Sequence, residues 1–172
     1  SDTFTMKSDV LGIYGQNGSG KTTFIDALEV LKCLLSGDSI KERLDSCISK
    51  GHDMAELSFE FSMEDDQDHK FRAVYSAQVG LNCLNESVKA SVLQDGVWTR
   101  MNTILECRSA DTKAVIIPDT KKRELFGKDP QLLDELRITK MLCAKEHRSL
   151  LFSDEIFVLL QRGSGSTLWY HM

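Results

Sequence analysis

The clearest structural signal in this chain is the segment Gly15-Gln16-Asn17-Gly18-Ser19-Gly20-Lys21-Thr22, which Thr23 follows. It fits the pattern GxxxxGK[ST], in which a glycine-rich loop leads into a helix. Glycines allow backbone turns that aim successive N–H groups at one point, and the helix dipole adds positive potential there. The pattern therefore predicts a loop that wraps a chain of phosphates.

The residues on both sides of this loop have the pattern that such a loop requires. Residues 10–14, Val-Leu-Gly-Ile-Tyr, form a short apolar run that favours a buried strand. Gly37 stands where a helix C-terminal cap belongs. Between the loop and Gly37, apolar residues recur at helical spacing: Phe24, Leu28, Leu31 and Leu35. The beginning of the chain is predicted to be strand, glycine loop and helix, the setting that supports phosphate binding over a simple glycine turn with an exposed lysine.

Three side chains at the end of the loop have separate roles in this interpretation. Lys21 places a mobile positive charge near the β- and γ-phosphates, and is our candidate catalytic residue. Thr22 offers a hydroxyl oxygen, a ligand type that Mg²⁺ prefers, and Thr23 can reach the α-phosphate. ATP and Mg²⁺ are thus predicted to bind together. The predicted nucleotide site consists of Gly15, Gln16, Asn17, Gly18, Ser19, Gly20, Lys21, Thr22 and Thr23.

The middle of the chain has the alternating pattern of half-buried strands. Apolar residues alternate with polar ones in 55–63 and 71–79, with a charged loop between, which predicts a hairpin. Asp95-Gly96 favours a tight turn because both residues tolerate positive φ. Further strands are predicted at 88–92, 97–105 and 114–117, the last ending at Pro118. Five short strands joined by turns indicate an antiparallel meander, separate from the parallel sheet of a phosphate-binding core.

Other segments carry weaker signals. The polar stretch 38–53 is compatible with a short helix from Ile40 to Ile48. Asp129-Pro130 is a cap followed by a first-turn proline, and Leu132, Leu133 and Leu136 supply an apolar helix face. Residues 163–166, Gly-Ser-Gly-Ser, are typical of a flexible linker.

The loop sequence resembles that of a known protein class. Asn17 followed by Gly-Ser-Gly-Lys-Thr-Thr, and then Phe24-Ile25-Asp26-Ala27-Leu28, is similar to ABC-type ATPases, and more narrowly to SMC, RecF and abortive-infection-like AAA ATPases. The specific resemblance covers residues 15–28. It implies an ATPase in which an antiparallel subdomain follows the phosphate-loop helix, and the predicted meander agrees with this order.

The fold class that we expect is α/β: a partial P-loop NTPase core, an antiparallel β-meander subdomain and a helical C-terminal segment. We expect one N-terminal ATPase lobe that ends before the second half of the enzyme. Its predicted divisions are 1–53 for the loop strand and helix, 54–118 for the meander, 119–162 for the helical segment and 163–172 for a linker-like tail.

The resemblance also implies an acidic Mg²⁺ ligand and a base, and one pair of residues imitates them. Asp154 and Glu155 follow the apolar residues 150–152, as in a Walker B strand, whose aspartate would hold Mg²⁺ and whose glutamate would act as base. Only three apolar residues precede Ser153, however, which is short for a buried strand. Ser153 and the acidic pair are better explained as the capped start of a helix.

Other expected motifs are weak or missing from the sequence. Gln78 and Gln161 are candidates for a γ-phosphate-sensing glutamine, but solvated surface amides are the better explanation of both. Residues 35–38, Leu-Ser-Gly-Asp, only echo the ABC signature and fall at the end of the first helix. The basic run 121–123 is more typical of a solvated loop than of a DNA contact, since acidic residues flank it.

Composition limits the remaining function classes. A net charge of −5 argues against a chain built to coat nucleic acid, and no apolar run reaches the roughly 20 residues that cross a bilayer. Five scattered cysteines without a CxxC pair predict neither a disulfide framework nor a zinc site. We expect a cytoplasmic protein without a membrane partner.

The function expected from the sequence is ATP hydrolysis with Mg²⁺, incomplete in this chain alone, for DNA maintenance or phage defence. The expected partner is a second copy of the ATPase or its C-terminal lobe. DNA is a further partner that the resemblance allows. Two alternatives remain: an assembly module with a vestigial P-loop, and an ABC transporter subunit, for which the long meander is atypical.

Overall fold

Helix α1, Lys21–Leu35, directly follows the glycine-rich loop. A computed structural model describes residues 20–64, 68–81, 83–108, 130–156 and 158–159 of the chain. The helix ends as predicted at Gly37, whose φ is +69°. Gly37 N donates to Leu34 O and Asp38 N donates to Cys33 O, at 3.2 and 2.8 Å. This pair of bonds is a Schellman motif, which satisfies carbonyls at the helix end and explains why glycine stands here.

The predicted short helix in the 38–53 stretch is also present. It consists of a 3₁₀ turn, Lys41–Arg43, and helix α2, Leu44–Cys47. Ile40 and Leu44 are buried and pack with α1, so this polar stretch contributes two side chains to the core.

The middle of the chain forms the predicted antiparallel sheet. Its three long strands are β1, Met54–Glu64, β2, Lys70–Gly80, and β3, Cys83–Gln94. β1 and β2 pair without interruption from Met54–Gly80 to Glu64–Lys70, which confirms the predicted hairpin. β3 continues the meander beside β2.

The prediction of one strand over residues 97–105 was wrong, because the structure has two separate strands there. β4, Val97–Trp98, and β5, Asn102–Cys107, both pair with β3. The Asp95-Gly96 turn is confirmed, with φ values of +50° and +76°. Between the strands, Thr99 bonds β3 through its side chain as well as its backbone, since Val92 N donates to Thr99 Oγ1 at 3.0 Å. A register shift follows in β5, so the ladder is bent where the sequence predicts a straight strand.

One face of the sheet is covered by helices, and two groups of buried side chains lie beneath them. The first, here called the α1 cluster, joins α1 and α2 to β2 and β3: Val30, Leu31, Leu34, Ile40, Leu44, Tyr75, Ala77, Val79 and Leu84. The second, the α3 cluster, joins β5 to helix α3, Pro130–Glu146, and to the residues after it: Leu105, Cys107, Leu132, Leu136, Cys143, Leu150, Leu151, Ile156 and Leu159. Phe152 packs against both clusters, and its ring meets that of Tyr75 edge to face at 5.2 Å.

Helix α3 is described from Pro130 onward, and the predicted cap residue Asp129 lies outside the described residues. Residues 154–156 and 158–159 are helical again. Within the described ranges, no helix has the length and apolar character needed to cross a bilayer. The predicted strands 10–14 and 114–117, the basic run 121–123, Leu133's side chain and the linker 163–166 lie outside what the structure describes.

Candidate nucleotide-binding site

Gly20 is the first residue of the predicted phosphate loop that the structure describes. Its φ is +81° and ψ is 7°, a left-handed conformation that costs other residues roughly 1–2 kcal/mol. A Cβ built on Gly20 would have no heavy atom within 4 Å, so backbone conformation, and not lack of space, requires glycine here. Gly15, Gln16, Asn17, Gly18 and Ser19 lie outside the described residues, and their part in the site stays a prediction.

The N-terminus of α1 has the electrostatic character of an anion site. No side chain caps it, and its first turn contains no acidic residue. Phe24 N donates to Gly20 O at 3.1 Å, which is the first bond of the helical ladder. The N–H groups of Thr22 and Thr23 precede that bond and have no acceptor within the helix. The dipole of this 15-residue helix is therefore not offset by a carboxylate in the helix's own first turn.

The side chains of this turn are at or near the surface. Thr22 and Thr23 are exposed, and Lys21 is half-buried. The opposite part of α1 is held firmly, because Val30 and Leu34 are 0% exposed in the α1 cluster. Packing at the far end of the helix thus fixes the direction in which its N-terminus points.

The contacts that the structure describes for Gln78 are with other strands of the sheet and do not include the start of α1. Gln78 lies on β2, and its Nε2 donates to Glu56 Oε1 on β1 at 2.6 Å. Its Oε1 accepts from Asn85 Nδ2 on β3 at 3.2 Å. The amide is therefore occupied in a cross-strand polar ladder, which explains its presence without a phosphate-sensing role.

Asp154 and Glu155 do not end a strand, so the Walker B interpretation was wrong. Residues 150–152 are turns and bends, and Asp154 begins a helix. Ser153 Oγ accepts from Ile156 N at 3.2 Å, which confirms the helix-cap interpretation. Glu155 bonds Arg148 at 3.4 Å. Its pKa is lowered, first by a bond from its own backbone N–H and further by Arg148, which makes it a weaker base.

Sequence reasoning missed one buried polar site, centred on Glu86 of β3. Glu86 is 3% exposed, and its Oε1 accepts from Tyr75 Oη at 2.7 Å and from Ser149 Oγ at 2.5 Å. Its Oε2 accepts from Leu150 N at 2.9 Å. Burial raises the pKa of this carboxyl, while the three donors oppose the rise. The signal was present: Glu86 occupies the position between Leu84 and Val88 where the strand's alternation requires an inward-facing residue.

The Glu86 site joins the two halves of the core. Tyr75 belongs to the α1 cluster and Leu150 to the α3 cluster, and both are 2% exposed. A carboxylate that bonds one residue from each cluster and the buried Ser149 fixes the turn after α3 against the sheet. The donors are satisfied and the site is closed, so it is a structural feature, and not a second reactive centre.

A comparison with protein families identifies the first part of the chain. Residues 10–92 match the model of a family described as "AAA domain, putative AbiEii toxin, Type IV TA system". No curated protein and no solved structure matches the chain. The matched residues include the whole loop, α1 and the hairpin β1–β2, so the loop and the antiparallel strands lie in the same family unit. The match over residues 10–92 supports a relationship to P-loop, AAA-like ATPases.

Proposed function

We propose that this chain is the ATP-binding part of an ABC-type ATPase, and that it holds ATP with Mg²⁺ at Gly15 to Thr23. The observation that carries the proposal is the start of α1, where a left-handed Gly20 leads into a helix with no cap and no acidic first turn. The family match over residues 10–92 supports the same function, because the AAA class is nucleotide-binding.

The described residues fit a triphosphate bound with a metal ion. The backbone of Thr22 and Thr23 offers N–H donors, and a Cβ built on Gly20 would have no heavy atom within 4 Å. Lys21 would neutralise phosphate charge, and the Thr22 hydroxyl would be a ligand of Mg²⁺. Bound ATP supplies the transferable phosphoryl group, and the metal offsets the charge of its oxygens. The chain's own contribution is to bind, orient and neutralise.

Hydrolysis also requires a base that positions water, and the first turn of α1 contains no acidic residue to act as one. Glu155 is paired with Arg148 at the start of another helix. The proposal therefore assigns the base and the signature loop to a C-terminal lobe or to a second copy of the ATPase. Ile25 supports the view that α1 has a further neighbour: it is 50% exposed on the side of the helix opposite Val30 and Leu34.

The work that ATP drives is proposed only as a class. The resemblance of the loop to abortive-infection-like ATPases favours phage defence, and its resemblance to SMC and RecF ATPases favours DNA maintenance. An ABC transporter subunit has no observation in its favour here.

Titration calorimetry with ATP and Mg²⁺ tests the proposal on the full chain and on two variants. Lys21→Ala should lose at least about tenfold in affinity, because the removed charge faces phosphate. Lys32→Ala is the matched control, since Lys32 is an exposed lysine in the last turn of the same helix. We expect the control to bind as the unmutated chain does.

Phosphate release measured on the same samples separates binding from hydrolysis. Slow release by all three proteins, with binding that depends on Lys21, supports a nucleotide cradle in an incomplete enzyme. An unmutated chain that binds no ATP would refute the proposal and favour an assembly module with a vestigial loop. Equal loss in Lys32→Ala would also refute it, because the effect would then be one of general charge.

A further inference from the structure

The residues that follow α1 are hydrogen-bonded to the end of α3. Ile40 N donates to His147 O at 3.0 Å, and Ser39 Oγ donates to Glu146 O at 2.5 Å, across 107 positions of the chain. Glu146 is the last residue of α3, and His147 follows it. Ile40 is 1% exposed and His147 is 8% exposed, so the bond between them is shielded from water. The chain after α1 is therefore attached to the end of α3.

Gly37, the C-terminal cap of α1, packs against the turn that follows α3. A Cβ built on Gly37 would lie 3.1 Å from Phe152 O and 3.6 Å from Ser153 Cα, and both of these are backbone atoms. A larger residue at position 37 would have to push the two segments apart. The side chain of Phe152 packs against the α1 cluster as well as the α3 cluster. The end of α1 and this turn are thus in close backbone contact.

The turn after α3 is also bonded to the α1 cluster through Glu86. Ser149 Oγ and Leu150 N donate to the Glu86 carboxylate, and so does Tyr75 Oη, which belongs to the α1 cluster. Residues 146–153, here called the α3 joint, therefore share buried bonds with both the end of α1 and the side chains beneath it. Segments that share buried contacts open to solvent together, as one cooperative unit.

We propose that the α3 joint opens together with α1, so that nucleotide bound at the start of α1 stabilises the chain after α3. The part that concerns nucleotide rests on the proposed function. A ligand that binds only the closed form of a cooperative unit raises the free energy of opening for every part of that unit. A ligand at 100 times its dissociation constant should therefore slow amide exchange in α1 and in the α3 joint by about 100-fold.

Hydrogen exchange of the full chain, read at single amides by NMR with and without ATP and Mg²⁺, tests the proposal. Arg148 N and Leu150 N report on the α3 joint, since both are hydrogen-bonded there, and Leu34 N reports on α1. Thr99 N is the control, because it donates to Val92 O in another part of the sheet. We expect ATP to slow the joint and α1 by the same factor, and Thr99 far less. Equal slowing of Thr99 would overturn the proposal, because the effect would then belong to the whole chain.

Titration calorimetry on the same samples distinguishes this inference from the proposed function. ATP binding that slows exchange at Leu34 but not at Arg148 and Leu150 would leave the proposed function intact and overturn the inference. An absence of ATP binding would refute the proposed function, and the transmission of nucleotide binding with it. Lys21→Ala should remove the slowing at all three amides.

Ser39→Ala tests the shared opening in the chain without nucleotide. Loss of its bond to the end of α3 should speed exchange at Arg148 and at Leu34 by the same factor, about fivefold, and leave Thr99 unchanged. Ser46→Ala is the matched control, since Ser46 is also exposed and its hydroxyl donates to the carbonyl three residues earlier. The control should change none of the three amides. Faster exchange at Arg148 without any change at Leu34 would mean that the joint opens alone, which would overturn the proposal whether or not ATP binds.

Discussion

Replacing Glu86 by alanine should destabilise this fold more than any change of a surface carboxylate. The substitution removes the acceptor of three buried donors, which belong to Tyr75, Ser149 and Leu150. Those residues are 2%, 0% and 2% exposed, so water reaches none of them without a change in packing. The perturbation therefore tests whether the carboxylate holds the turn after α3 to the sheet.

The magnitude follows from the cost of unpaired donors. A buried polar group that loses its partner costs about 1–3 kcal/mol. Water that enters the new cavity would recover part of this, and the carboxyl group no longer has to be desolvated. We expect a net loss of about 3 kcal/mol, in the range known for breaking buried charged networks. For a chain of this size the melting temperature should then fall by about 6–12 °C.

Urea unfolding followed by circular dichroism measures this change in the free energy of unfolding. Glu106→Ala is the control, since Glu106 lies on the adjacent strand β5 and pairs with the exposed Arg108. An exposed pair of this kind contributes less than about 1 kcal/mol. A loss for Glu86→Ala no greater than that for Glu106→Ala would refute the reasoning, because it would mean that the three donors find other partners at little cost.

The pH dependence of the free energy of unfolding tests whether burial raises the pKa of Glu86. Burial raises the pKa of Glu86 in the folded state, so the folded chain binds this proton more tightly than the unfolded chain does. The stabilising contribution of Glu86 to the free energy of unfolding is therefore complete at pH values below the pKa of an ordinary carboxyl. It is lost as the pH rises through the raised pKa, by at most about 1.4 kcal/mol per pH unit. Glu86→Gln is neutral throughout and should remove this decline. The thiol of Cys143, whose pKa burial also raises, titrates at higher pH.

Two other positions give tests of single local interactions. Gly20→Ala should lower the free energy of unfolding by about 1 kcal/mol and weaken ATP binding, whereas Gly51→Ala, with a similar φ of +83° and an equally open surrounding, should have the same effect on stability and none on binding. Titration calorimetry compares the ATP affinities of the two variants. Equal ATP binding by both would contradict the role of Gly20 in the nucleotide site. Ser153→Ala should cost about 1 kcal/mol in thermal unfolding because Ile156 N loses its cap, and Ser153→Thr, which keeps a hydroxyl, should retain most of the stability. A full loss in Ser153→Thr would show that packing, and not the cap, is what matters there.

Local signals in the sequence predicted several elements well. The end of α1 follows from Gly37, because a C-terminal cap in the left-handed conformation favours glycine regardless of what surrounds it. The Asp95-Gly96 turn also depends on neighbouring residues alone. The same holds for the alternation of apolar and polar residues in β1 and β2, which sets the face of the sheet on which each residue lies once the hairpin forms. Such features depend on a few neighbouring residues.

Other features depend on side-chain contacts and backbone turns that residue propensity does not predict. The break between β4 and β5 follows from the bond between Val92 and the Thr99 side chain, and propensity alone gives no reason for it. Asp154 and Glu155 follow an apolar run as a Walker B pair does, and only the turn over residues 150–152 shows that they begin a helix. A strand and a helix start can share one short pattern, and the surrounding structure selects between them.

From the sequence alone we predict a phosphate-binding loop at Gly15 to Thr23 with ATP as its ligand, because such binding depends on backbone turns and charges encoded within a few residues. The family match over residues 10–92 supports the P-loop class. Only the folded structure shows which donors bond the Glu86 carboxylate, and that Gln78 is held by Glu56 and Asn85. It also shows that Ser39 and Ile40 bond the end of α3. The physical reason is the same in each case: the environment of a side chain is set by residues that approach it from distant parts of the chain, and no local pattern encodes that approach.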